Sequence, residues 1–293
     1  MHKNITGFVI SFFFCLQAIT GYCAEPARKV VVATDGSGDF TNIVEAIASI
    51  KDATKTSPVD IIIKPGIYKE TITTRDWINL IGEDRDKCVV SYDCGTEKDV
   101  HKYHTVWATS NTKIKNLTLI GQTVKYVIHS DGGSAYLLTI ENCILRREYP
   151  TEKAKHYPAG FGIGLRANQH IVIKDCVIDA ILPIYMHNWN EQLSPCSMTL
   201  EKCSLKGQDY AIHIGMLGSQ QRDFFVIHDS VLVGAKGGID YKNYRNIKGR
   251  TWHGDNEMVV TGSGNGDVSI PGAEFKDDSQ KRQSGVELAV QAK

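Results

Sequence analysis

Five residues able to bind a charge or move a proton stand at near-equivalent places in successive stretches of this 293-residue chain. They are His129 in YVIHSDG, Arg166 in GFGIGLR, His187 in PIYMHN, His213 in YAIHIGM and Asp240 in GGIDYKN. A histidine beside an aspartate can serve as a general base near neutral pH, where imidazole titrates. Arginine grips a carboxylate with two parallel N–H donors, and tyrosine rings stack on pyranose faces. Tyr126, Tyr185, Tyr210, Tyr241 and Lys242 accompany the set. Such a column suits an acidic sugar chain, with His187 and His213 at its centre, Asp240 as a carboxylate, and Arg166, His129, Tyr185 and Lys242 as substrate contacts. The competing reading is a row of ordinary hydrogen-bonded surface side chains. A three-histidine metal site is the weaker alternative, because neighbouring coils fix no ligand spacing and no CxxC pair occurs, so no metal or other cofactor is expected.

The elements that must position this column are visible in a strand-sized phrase that precedes each member. It reads KIKNLTL at 113–119, LTIENCIL at 138–145, IVIKDCVI at 171–178, MTLEKCSL at 198–205 and FVIHDSVL at 225–232, with a degenerate copy, MVVTGSGN, at 258–265. Aligned, one position holds Leu117, Cys143, Cys176, Cys203, Ser230 and Ser263. A β-rich repeat of this size, without long helical intervals, predicts an all-β solenoid whose coils bury their apolar sides only by stacking. The expected fold is a right-handed parallel β-helix, following the usual hand of parallel crossovers. Two long excursions, 146–160 and 241–257, are rich in Tyr, His, Lys and Arg and interrupt the repeat beside the column. They are expected to wall a groove, with Trp252 as a further substrate contact.

At the start, VVVATDGSGDFTNIVEAIASI predicts a strand, a tight turn and a short amphipathic helix with Asn42 as its cap, laid over the raw end of the first coil. The apolar run Phe8–Ala18 after Lys3 reads as the core of a signal peptide over 1–24, too short to span a membrane. The solenoid is then expected over 25–270, followed by a polar tail at 271–293. The protein is expected to be secreted or periplasmic and monomeric. Lysine plus arginine equals aspartate plus glutamate at 33 each, so no basic field favours nucleic acid. Six cysteines follow residue 24. Cys143, Cys176 and Cys203 read as a buried ladder of small side chains. Cys88 with Cys94, or Cys196 with Cys203, could close short loops as disulfides.

The run VVATDGSGDFTNIVEAI, then KPGIYKE, then INLIGEDRDKCVV closely resembles the opening of pectin methylesterases, specifically over residues 29–92 and more loosely to about 215. GIGLRANQHIVIKDC at 162–176 is similar to a later coil of that family, and Tyr185, His187 and Asn188 fall where it has tyrosine-valine-histidine-serine. The resemblance implies a pectin-lyase-like solenoid acting on the methyl ester of polygalacturonate through two aspartates, with glutamines and an arginine in support. The glutamine–aspartate pair lands on Leu182 and Pro183, and neither can do that work. The second aspartate meets Asp209 only if one residue is deleted, and Arg250 with Trp252 faintly echoes the arginine–tryptophan motif. The open classes are an esterase with a rearranged catalytic set, a lyase or glycosidase using the His/Arg/Asp column, and a glycan-binding relative without catalysis.

Overall fold

The computed structural model describes residues 28–95, 103–109, 111–130, 136–148, 160–166, 169–187, 197–208, 210–214, 224–234, 237–240, 257–261 and 286–289. The expected signal peptide, Asp209, Asn188, Cys196, Lys242, Arg250, Trp252, Ser263 and most of both long excursions lie outside them. The strands form three parallel sheets of ten, seven and seven. Seven coils contribute one strand to each sheet, and among the described residues Arg28–Val32, Glu257–Thr261 and Val286–Ala289 add to the first sheet alone. Ile140, Leu145 and Ile163 point into the core from three successive strands and are fully buried. The chain is a right-handed parallel β-helix with an N-terminal helix, as expected.

Alternation explains the packing. In Val59–Ile63 of the ten-stranded first sheet, Val59, Ile61 and Ile63 are buried while Asp60 and Ile62 are only half-buried. The seven-stranded second sheet runs from Ile72–Thr73 through His104–Ala108, Tyr126–Ser130, Phe161–Arg166, Leu182–His187 and Tyr210–Ile214 to Gly237–Asp240. Its inward residues are Val106, Ile128, Ile163, Ile184 and Ile212, all fully buried. The third sheet stacks Tyr68, Val90, Leu119, Leu145, Ile178, Leu205 and Leu232 in the same way. The first sheet continues past Glu257–Thr261 to Val286–Ala289, inside the stretch whose sequence reads as a polar tail.

Between the first and third sheets the chain turns a two-residue corner of constant geometry. Asn116, Asn142, Asp175, Lys202 and Asp229 all have φ between 49° and 55°, the left-handed region that asparagine and aspartate tolerate best. The residue after each points inward: Leu117, Cys143, Cys176, Cys203 and Ser230 are at most 4% exposed. Hydrogen bonds carry the ladder round the bend, as when the Val177 N–H donates to the Cys143 carbonyl at 2.9 Å and the Ser204 N–H to that of Cys176 at 2.8 Å.

The five cysteines among the described residues, Cys88, Cys94, Cys143, Cys176 and Cys203, are free thiols. The two disulfides expected from spacing therefore do not form. The Cys88 thiol donates to the Ile63 carbonyl and the Cys94 thiol to that of Thr123, each at 3.1 Å, so the two are tied to separate parts of the chain. On the outside of the first sheet, register aligns Lys115, Glu141, Lys174, Glu201 and His228. Lys115 pairs with Glu141 at 2.6 Å and Lys174 with Glu201 at 2.7 Å.

The helix α1 (Ile43–Ser49) buries Ile43, Ala46 and Ile47 on the first coils. Asn42 Oδ1 accepts the Glu45 N–H at 2.8 Å, the expected cap. The remaining free donors are met from afar, since the Glu70 carboxylate accepts the Ile43 and Val44 N–H groups at 3.0 and 2.9 Å. No helix among the described residues is long and apolar enough to cross a membrane.

Candidate aromatic and imidazole face

The outer face of the second sheet is assembled by register. Trp107 pairs with His129, His129 with Gly164, Gly164 with Tyr185, Tyr185 with His213 and His213 with Asp240. Arg166 pairs with His187, two residues further along the same strands. The single column expected from sequence thus resolves into two neighbouring columns: His129, His213 and Asp240 share one, and Arg166 and His187 the other. The counting failed because loops of unequal length precede these strands, so distance from the inward corner residue does not measure position along the strand.

Side-chain contacts make the first column into a continuous file. His104 meets Trp107 edge to face at 5.1 Å, and Trp107 meets His129 likewise at 4.9 Å. Tyr126 stacks on His129 at 4.3 Å and tilts against Phe161 at 5.1 Å. Phe161 stacks on Tyr185 at 4.3 Å, and Tyr185 on His213 at 5.3 Å. Stacked rings cover one another's faces. From Tyr126 to His213 the rings lie against one another, and Phe161 within the run is buried. Burial pushes the Tyr185 phenol up, so it is a neutral hydroxyl at physiological pH.

Gly164 is the gap that lets the file close. A Cβ there would overlap the Tyr126 ring. Lys125 adds a cation beside the middle of the file, with Nζ 5.2 Å from the centroid of Tyr126. Its backbone is held on both sides: the Lys125 N–H donates to the Tyr103 carbonyl at 2.9 Å, and the Phe161 N–H donates to the Lys125 carbonyl at 2.8 Å. The loop before it is locked by buried Arg147, whose guanidinium donates to the Val124 carbonyl at 2.7 Å and also to those of Gln122 and Glu148.

Sequence reasoning missed His104, Trp107, Phe161 and Lys125. The available signal was an aromatic or histidine opening four of these strands, at His104, Tyr126, Phe161 and Tyr210. Pro183, at the place the resemblance assigns to a catalytic aspartate, is buried between coils. A Cβ at Gly162 would meet its carbonyl, and one at Gly207 would lie 3.0 Å from its Cδ. The residues around it are apolar, with Val127 and Ala211 fully buried. Among the described residues no group of three or more His, Cys, Asp or Glu side chains could hold a metal ion.

Comparison with known proteins places this geometry. Residues 29–133 match the family model described as Pectinesterase, which bears out the resemblance read from the opening motifs. An Arabidopsis thaliana relative named as a pectinesterase/pectinesterase inhibitor is 23% identical over 259 residues, covering 80% of this chain and 48% of the relative. The chain thus spans about half the length of that relative. Pectin methylesterase from carrot superposes with a TM-score of 0.53 at 18% identity, over 79% of this chain and 72% of that one. The Aspergillus niger pectin methylesterase gives a TM-score of 0.50 at 12% identity, over 80% and 76%. At such identities the shared property is the fold, a right-handed parallel β-helix.

Proposed function

We propose that this chain, whose residues 29–133 carry pectinesterase sequence, is a carbohydrate-active protein that holds a uronic-acid polysaccharide along the outer face of the second sheet. The observation that carries the reading is the run of ring contacts from Trp107 to His213, which crosses five consecutive strands and includes the half-buried His129, Tyr126, Tyr185 and His213. Polar ring groups on four of these five strands, at coil spacings of about 4.8 Å, suit a polymer of hydroxyl- and carboxylate-bearing rings. Residues 1–24 export it as a signal peptide, 25–270 form the working solenoid, to which the tail adds the strand Val286–Ala289, and it acts in the periplasm or outside the cell as a monomer.

Chemistry on the bound chain falls to His213 beside Asp240, with His187 beside Arg166, because the family's carboxylate position is filled by Pro183. A histidine paired with an aspartate supplies a base near neutral pH. Asp209 is the remaining carboxylate the resemblance assigns to catalysis, and Trp252 and Lys242 are the groove contacts from the second excursion. A second reading, binding without cleavage, is favoured by the apolar packing around Pro183.

The test is product analysis on methyl-esterified and unesterified polygalacturonate, with binding followed in parallel by intrinsic tryptophan fluorescence. Methanol identifies an esterase, absorbance of an unsaturated uronate a lyase, and new reducing ends without that absorbance a glycosidase. Binding with no product supports the second reading. Neither binding nor product on either polymer overturns both.

A further inference from the structure

We propose that Arg147 is a positioning residue for the polysaccharide face: it sets the heads of Tyr126–Ser130 and Phe161–Arg166, and through them the contact between Tyr126 and Phe161. This rests on the reading of that face as a polysaccharide site. Alternation along Ile144–Arg147 buries Leu145 and Arg147 while Ile144 is half-buried and Arg146 exposed, so an arginine points into the solenoid. Its register partner on one neighbouring coil is Gly121. On the other, the same place falls to buried Ala180, which follows Asp179, the partner of Arg146. Those two coils pass through a short turn into the second sheet, at a small residue. The coil that carries the first long excursion has a guanidinium there instead.

That one side chain serves two strand heads. Its guanidinium donates to the Val124 carbonyl at 2.7 Å and to the Gln122 carbonyl, which fixes the turn leading into Tyr126, and to the Glu148 carbonyl where the excursion begins. Where the excursion returns, a Cβ on Gly160 would lie 2.7 Å from Arg147 Cγ, so Gly160 rests on the stem of the same side chain. From there the Phe161 N–H donates to the Lys125 carbonyl at 2.8 Å and the Leu182 N–H to the Gly160 carbonyl at 3.2 Å. The turn before Tyr126 and the residue before Phe161 are thus built on one planar, rigid fork of donors. The two rings that follow sit 5.1 Å apart with a tilt of 35°. Tyr126 stacks on His129 and Phe161 on Tyr185, each at 4.3 Å. A shift of either strand head therefore moves the part of the file that holds His129 against the part that holds Tyr185 and His213.

The experiment measures affinity for polygalacturonate by calorimetry for the wild-type protein, Arg147→Met, Gly160→Ala and Arg85→Met, with thermal unfolding as the check that each is folded. Arg147→Met keeps an unbranched stem and removes the donors. Gly160→Ala keeps the guanidinium and forces apart the arginine stem and the head of the Phe161 strand. Arg85→Met is the control: Arg85 donates to Asn142 Oδ1 at 3.1 Å, at the corner between the first and third sheets, so its loss bears on stability alone. The expected result is binding about tenfold weaker in Arg147→Met and Gly160→Ala and unchanged in Arg85→Met. The near-ultraviolet circular dichroism of the tyrosines should change in the first two variants and not in the control. Wild-type affinity in folded Arg147→Met overturns the proposal, and so does equal weakening in Arg85→Met, which would reduce Arg147 to a part of the framework. Where Arg147→Met does not fold, Gly160→Ala decides, and wild-type affinity there overturns the proposal. Failure of the wild-type protein to bind polygalacturonate or its methyl ester overturns the site reading itself.

Discussion

The Glu70 carboxylate spans two N–H donors that α1 leaves open and so joins the helix to a coil 26 and 27 residues away. Glu70→Ala strands both donors and removes a negative charge from the helix N-terminus, at a cost of about 1–2 kcal/mol. The check is a lowered urea midpoint with an unchanged m-value. A second residue-scale effect lies in the thiol file. The hydrogen bond to Cys143 pushes the Cys176 thiol up, and Cys203 is pushed up in turn by Cys176 and by burial. A thiol whose folded pKa is raised keeps its proton where the unfolded chain has lost it. Its contribution is complete below about pH 8.5 and is lost as pH rises above that value. Stability should fall above pH 8.5 by up to about 1.4 kcal/mol per pH unit for each thiol. Denaturation midpoints at pH 8 and pH 10 measure this, and Cys203→Ala should flatten the slope.

At the scale of elements, the corner and the outer strand behave differently. Four of the five corner residues are asparagine or aspartate, and the fifth is Lys202 at φ 52°. Lys202→Asn should stabilise by a few tenths to about 1 kcal/mol, because lysine lacks the local hydrogen bonding that eases the left-handed conformation. A thermal midpoint above wild type checks it. In the second sheet, Gly164→Ala drives a methyl group into the Tyr126 ring and should cost about 1–3 kcal/mol. It should also weaken polygalacturonate binding, while far-ultraviolet circular dichroism keeps its β signal. The inward corner residues were legible in the sequence because each follows its strand at a fixed offset. The polar residue just before each corner was printed as plainly, yet a lone asparagine or lysine carries no signal until its φ is known. The stack of Tyr126 on His129 and Phe161 on Tyr185 was not legible. It depends on strands whose relative shift is set by loops of unequal length, so Arg166 and His187 were placed in the wrong column.

Across the whole molecule, the segment most like pectinesterases is the one that starts and caps the solenoid. Within it, Asp39 accepts the Val31 N–H at 2.8 Å, the Tyr68 phenol donates to the Lys64 carbonyl at 2.9 Å, and Glu70 holds α1. These residues build the end of the fold, while the aromatic file begins inside the same match, at Trp107, Tyr126 and His129, and runs on past it to His213. The alternation of Lys115, Glu141, Lys174, Glu201 and His228 along the first sheet gives the same solenoid a parity. Joining Cys143 directly to Val177 would excise one turn of 33 residues, 144–176, at matching corners. That splice would also set Glu141 beside Glu201, two like charges on adjacent strands. Joining Cys143 to Ser204 removes two turns and sets Glu141 beside His228 instead, so the molecule can be shortened by even numbers of turns more readily than by odd ones.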